Sequence, residues 1–103
     1  MRKQRIVVRV TAGPAWADGG PPEAQPGWDE HAAFVDELVE QGTFVMGGPL
    51  NDYSGSLVIL EGITRDEARA LMEKDPFVCN GVFVIEDIKE WTVYVDSRSE
   101  YPQ

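Results

Sequence analysis

The chain has 103 residues, 43% of them hydrophobic and 26% charged, with a formal net charge of −9 at pH 7. That size and composition suit one soluble domain with a single core and leave no room for two. No Lys or Arg occurs between Arg9 and Arg65, so there is no basic stripe for a nucleic-acid backbone or an anionic membrane surface, and neither is an expected partner.

The chain opens with a basic segment, but residues 6–10 behind it include Arg9 and are too short for a signal peptide. No apolar run approaches the roughly 20 residues of a membrane-spanning helix. A single cysteine, Cys79, forbids an internal disulfide, and a cytoplasmic location is expected. Residues 5–10 are β-branched, with Ile6, Val8 and Val10 on one side, and read as a strand. Residues 11–27 hold four prolines and four glycines. Such a long loop is a lid, a binding loop or disorder, and Trp16 and Trp28 argue against simple disorder.

A first helix is expected from Trp28 onward, capped at Gly27 or Asp29 and ended by Gly42. His31, Phe34, Val35, Leu38 and Val39 form its apolar stripe, with Asp36, Glu37 and Glu40 facing water. The only histidine therefore heads a buried stripe. A short strand over residues 43–46 ends at Gly47-Gly48-Pro49-Leu50. After turn residues 51–55, a third strand over residues 56–61 is apolar on both sides and expected to be covered on both.

Thr64 and Glu67 match a capping box, with Ile63 as its staple. The second helix then carries Ala68, Leu71, Met72 and Asp75 on one face and stops at Pro76. Asp75 breaks local rules: it is an acid on an apolar face and at the negative end of a helix, which marks it as a candidate site residue. A fourth strand over residues 82–85 follows, and residues 88–95, with Trp91, either continue it or add a fifth element. Residues 97–103 are a polar tail, and the whole of 1–103 reads as a single domain.

The order β-α-β-β-α-β with a trailing strand is the split-βαβ, ferredoxin-like arrangement of the α+β class. Both helices lie on one face of an antiparallel sheet. The other face is apolar, and a second copy packed sheet on sheet is the expected cover; the alternative is a monomer covered by its own long loop.

Gly27-Trp28-x-x-His31-x-x-Phe34, Gly47-Gly48-Pro49-Leu50, Gly55-Ser56-Leu57 and Asp75-Pro76-Phe77-x-x-x-Gly81-Val82, closed by Trp91, together resemble the YciI-like (YCII-related) family of dimeric α+β-barrel proteins. The likeness spans about residues 6–94. It implies a ferredoxin-like fold, a homodimer through the sheets, a pocket between helices and sheet, and His31 with Asp75 as the catalytic pair. Enzymes of the family and its fold relatives include a dehydrochlorinase of a chlorinated hydroxyquinol and lactone isomerases. The long loop and Trp16 set this chain apart from shorter members.

In such a fold the helices run oppositely, which brings the start of one near the end of the other. A carboxylate bonded to one imidazole nitrogen fixes the tautomer and frees the other for proton transfer. The bland reading is a satisfied core histidine and an Asp that caps a turn such as the Val78 or Cys79 N–H. Substrate contacts are expected from Trp28, Gly48, Pro49, Ser56, Phe77 and Trp91; tight turns and core packing account for the same residues equally well. Backbone N–H groups keep an anionic ligand open. Cys79 is read as a buried small residue. No spaced ligand cluster suggests a metal, and no phosphate loop or dinucleotide fingerprint suggests a cofactor. Three functions compete: a cofactor-free acid/base enzyme acting on a small cyclic or aromatic compound, a non-catalytic ligand-binding module, and a scaffold whose tryptophans fill the space between helix and sheet.

Overall fold

The computed structural model describes residues 3–98. Strands β1 (Lys3–Ala12), β2 (Phe44–Pro49), β3 (Ser56–Leu60) and β4 (Phe83–Val93) form one sheet in the order β2-β3-β1-β4. Each neighbouring pair is antiparallel. Helices α1 (Trp28–Glu40), α2 (Arg65–Met72) and the short α3 (Pro76–Cys79) complete an α+β, ferredoxin-like unit. Thr64 caps α2 through the expected capping box: its side chain accepts the Glu67 N–H, and Glu67 answers on the Thr64 N–H.

Strand periodicity decides which residues meet the helices. Ile6, Val8 and Val10 pair with Leu60, Val58 and Ser56 on one side, and all six are buried. On the other face Met46, Leu57, Val84 and Trp91 are 38–44% exposed. No helix or strand among the described residues packs over that face, so among those residues β3 is covered on one side rather than the expected two. Arg5 lies there too; it is buried, and its Nε is 2.8 Å from Glu61 Oε2.

Residues after Glu86 continue the fourth strand rather than add a fifth. The register slips between Arg9 and Val10, so that Val8 faces Ile88 while Val10 faces Ile85. The extra residue is a bulge, and it shifts the alternation beyond it. Gly47, Gly48 and Pro49, expected to end β2, lie inside it. β2 is an edge strand, where a proline without an N–H costs no ladder bond. In the hairpin turn that follows, hydrogen bonds from Ser54, side chain first and backbone N–H second, hold the Asp52 carboxyl below its ordinary value.

The loop expected from residue 11 begins only at Gly13, because β1 runs on through Ala12, and it is anchored along its length. Its start extends the pairing with the β4 approach, Gly13 N–H to Val82 O at 2.8 Å and Ala15 N–H to Gly81 O at 2.9 Å. Trp16 stacks on Phe83, ring centres 6.1 Å apart. Gln25 is 3% exposed; its Oε1 accepts the Ala17 N–H at 2.6 Å and its Nε2 donates to Ala17 O at 3.0 Å. This amide closes the loop on itself and replaces the backbone bonds its prolines cannot supply. Of the polar tail, Ser97 and Arg98 form a turn, and residues 99–103 lie outside the described part of the chain.

Candidate functional site

Pro76 determines how Asp75 is presented. The residue before a proline is driven to extended backbone, and Asp75 has ψ 125°. The chain accordingly leaves α2 at Met72, earlier than the apolar spacing predicts, and Asp75 becomes the N-cap of α3 instead of the last residue of α2. Its Oδ1 accepts the Phe77 N–H at 2.9 Å, and its backbone carbonyl accepts the Val78 and Cys79 N–H groups. The acid thus sits at the favourable end of a helix turn rather than the unfavourable one.

The same Oδ1 meets His31 Nδ1 at 2.7 Å. The two residues are 44 apart in sequence. Their side chains are 14% and 2% exposed. An ionised carboxylate is an acceptor only, so Nδ1 is the donor in this contact, and in the neutral imidazole Nε2 is then the nitrogen with the lone pair. Nε2 has no hydrogen bond among the described residues.

His31 occupies the first turn of α1, and that turn is anchored independently of the pair. Gly27, the N-cap, has φ 87°, and a Cβ there would come within 2.7 Å of Asn80 Nδ2. That amide nitrogen donates to Pro26 O at 2.9 Å while Asn80 Oδ1 accepts the Val82 N–H at 3.1 Å. Asn80 therefore ties the entry of α1 to the exit of α3. Aromatic rings fix the imidazole plane. Phe77 lies flat against it, centres 4.1 Å apart and planes 9° apart. Phe83 stands edge-on at 5.8 Å, and Trp28 is tilted at 5.6 Å.

Beside the pair is a cavity of about 340 Å³ between α1 and the sheet, inside the usual range for small-molecule sites. His31, Asp75 and Trp28 form one side. Phe44, Gly47, Gly48 and Pro49 form the β2 wall, and Val10, Ser56, Val58 and Phe83 the floor. A side chain on Gly47 would meet the Phe44 ring at 2.6 Å, so glycine there lets that ring lie along the wall. Pro22 and Glu23, from the long loop, complete the rim with Asp36 of α1.

Of the residues expected at a site, His31, Asp75, Trp28, Gly48, Pro49 and Ser56 come together around this cavity. Phe77 does not line it; fully buried, it lies against the imidazole as a platform. Trp91 is not there at all. It pairs with Arg5 across the sheet and is 44% exposed on the open face. Six residues beyond the inward-facing Ile85, Trp91 would share its face in a regular strand; the extra residue at Glu86 reverses the alternation and leaves Trp91 on the opposite side. Cys79, expected to be buried, is exposed, its thiol 3.3 Å from Glu73 O. Asp36, assigned to solvent, is exposed yet borders the cavity, because it follows Ala32 by one turn. Glu23 and Gln25 carry no motif by which sequence could have singled them out. Among the described residues no group of three or more His, Cys, Asp or Glu is placed to hold a metal ion.

A family model described as the YCII-related domain matches residues 6–92. The chain belongs to the YCII-related family. The uncharacterized protein YjpA of Bacillus subtilis (strain 168) is 33% identical over 61 residues, 59% of this chain and 71% of YjpA. Among solved structures, 5-chloro-2-hydroxyhydroquinone dehydrochlorinase (TftG) from Burkholderia phenoliruptrix AC1100, in complex with 2,5-dihydroxybenzoquinone, superposes with a TM-score of 0.55. It is 24% identical, and the match covers 85% of this chain and 92% of TftG. At that identity the likeness bears on the fold, and it agrees with the α+β, YciI-like architecture described above. Within this fold the N-cap of α3 brings Asp75 against His31 in the first turn of α1.

Proposed function

We propose that this protein is a cofactor-free enzyme that moves a proton on a small cyclic or aromatic compound, by isomerisation or elimination. The observation that carries the reading is the 2.7 Å His31–Asp75 contact, with Nε2 unpartnered beside an open cavity. In this reading Nε2 takes a proton from a ligand C–H or O–H, and the Asp75 carboxylate offsets the imidazolium charge that forms. Returning that proton to a different ligand atom completes an isomerisation; departure of a leaving group with the bond electrons completes an elimination. TftG, of the same fold, is a dehydrochlorinase solved with a quinone, which supports a ring compound as substrate. A scaffold reading predicts tryptophans filling the space, whereas the hollow is open.

The test is turnover of 5-chloro-2-hydroxyhydroquinone and of unsaturated lactones, followed by chloride release and NMR. Turnover is expected, with His31→Ala and Asp75→Asn each lowering it by about 10²–10⁴-fold. An activity that both variants retain overturns the proposal. Binding with no product in the wild type points instead to the non-catalytic module.

The same reading includes a cytoplasmic homodimer in which a second copy covers the open sheet face. That face presents Leu57, Met46, Val84 and Trp91, large exposed apolar side chains spread over the sheet with Arg5, Arg9 and Thr11 of β1 among them, and water disfavours such exposed apolar area. Sedimentation is expected to give twice the mass of one chain for the wild type and the mass of one chain for Leu57→Glu. A monomeric wild type, or a Leu57→Glu variant that remains dimeric, removes this part of the proposal.

A further inference from the structure

The charge at the cavity is one-sided. Its lining includes three carboxylates, Glu23, Asp36 and Asp75, and no Lys or Arg. Asp75 is committed to His31 and to the Phe77 N–H. Glu23 and Asp36 make no ion pair among the described residues. They approach the opening from separate elements, the single 3-10 turn at residues 22–24 and α1. Glu23 is exposed, but the backbone around it is anchored: Pro22 beside it is buried, and Gln25 bonds back to Ala17. An independent feature points to a ligand inside. Ser56 is 8% exposed and lies on the cavity floor, and its hydroxyl has no hydrogen bond among the described residues. Because that oxygen is not among the fully enclosed unpartnered atoms, it stays accessible, and an accessible hydroxyl with no protein partner is one a ligand can satisfy.

We propose that Glu23 and Asp36 select the ligand by charge, so that the cavity admits an uncharged or cationic ring compound and rejects a carboxylate-bearing one. This rests on the cavity being the ligand site, as argued above, and narrows its substrate class. Like charges at a rim act by repulsion across partly wet space, which discriminates without adding a contact to the favoured ligand. The neutral donors and acceptors within, Ser56 and the β2 backbone, suit a hydroxyl or carbonyl and contribute no formal charge to hold an anion.

The test uses three probes of one shape and different charge: benzamide, benzamidine and benzoate, titrated by NMR against the purified chain in about 20 mM salt. Benzoate is expected to bind at least about ten-fold more weakly than benzamide, and benzamidine no more weakly than benzamide. In the Glu23→Gln/Asp36→Asn double variant the benzoate deficit is expected to shrink to about three-fold or less, and raising salt to about 500 mM should shrink it in the wild type as well. Benzoate binding as tightly as benzamide, or a deficit unchanged in the double variant, overturns charge selection while leaving the cavity as a ligand site. Failure of all three probes to bind the wild type overturns the ligand site itself, and this inference with it.

Discussion

Phe77→Ala is expected to lower the unfolding free energy by about 3–5 kcal/mol, read as a lower urea midpoint at an unchanged slope. The ring is fully buried in the core cluster, and its contacts are specific in geometry. It lies flat against His31, stands perpendicular to Phe83 at 5.0 Å, and meets Trp28 at 6.2 Å. Truncation loses the transfer free energy of the ring and leaves a void that α3 cannot fill: the short helix is held by its Asp75 cap at one end and by Asn80 at the other. A domain of this size is stable by about 5–15 kcal/mol, so the change removes roughly a fifth or more of that margin.

Phe77→Leu separates platform from volume. A near volume-conserving change costs about 1.5 kcal/mol or less, but leucine offers no flat face to the imidazole. Activity should therefore fall by more than the small loss of stability explains. If Phe77→Ala leaves the midpoint in place, the stacked arrangement is not what holds α3 to α1.

How much of this was legible beforehand depends on the kind of signal. The α2 start was readable because a capping box is local chemistry, complete within Thr64 to Glu67. The α1 stripe was readable as far as Leu38; Val39 is 52% exposed, since a stripe drifts around a straight helix. Asp75 was marked for a reason the structure replaces. It is not an acid stranded at a helix end but an N-cap created by Pro76, and what drew attention to it, an acid among apolar neighbours, survives the change. The meeting of His31 with Asp75 followed from the opposed helices together with the family resemblance.

Two kinds of residue escaped. Trp91 was misplaced because one bulge reverses inside and outside for everything beyond it, and nothing in Ile85-Glu86-Asp87-Ile88 announces which residue will be extra. Glu23, Asp36 and Gln25 escaped because their roles depend on where a loop is fixed in space. Asp36 is a solvated acid by helical period and a rim residue only once the loop at residues 22–25 is in place.

Asp75→Ala is expected to cost about 2–4 kcal/mol, and Asp75→Asn about 1 kcal/mol or less. The carboxylate accepts two N–H groups on one oxygen, from Phe77 and from His31. Alanine strands both donors in a site where neither reaches water easily, which combines the loss of a helix cap with an unmet buried donor. Asparagine keeps an oxygen at that position and satisfies both, so the fold and the Nδ1–H tautomer persist while the negative charge is gone. The pair of variants therefore divides holding from chemistry. Asp75→Asn should unfold near the wild-type urea midpoint and still support proton capture at Nε2 poorly, because the imidazolium then forms in a largely buried site with no carboxylate in contact with it. An Asp75→Ala protein as stable as the wild type would mean that the 2.7 Å contact does not hold the helices together. Equal instability of the two variants would instead assign the stabilisation to the charge, not to the hydrogen-bond geometry.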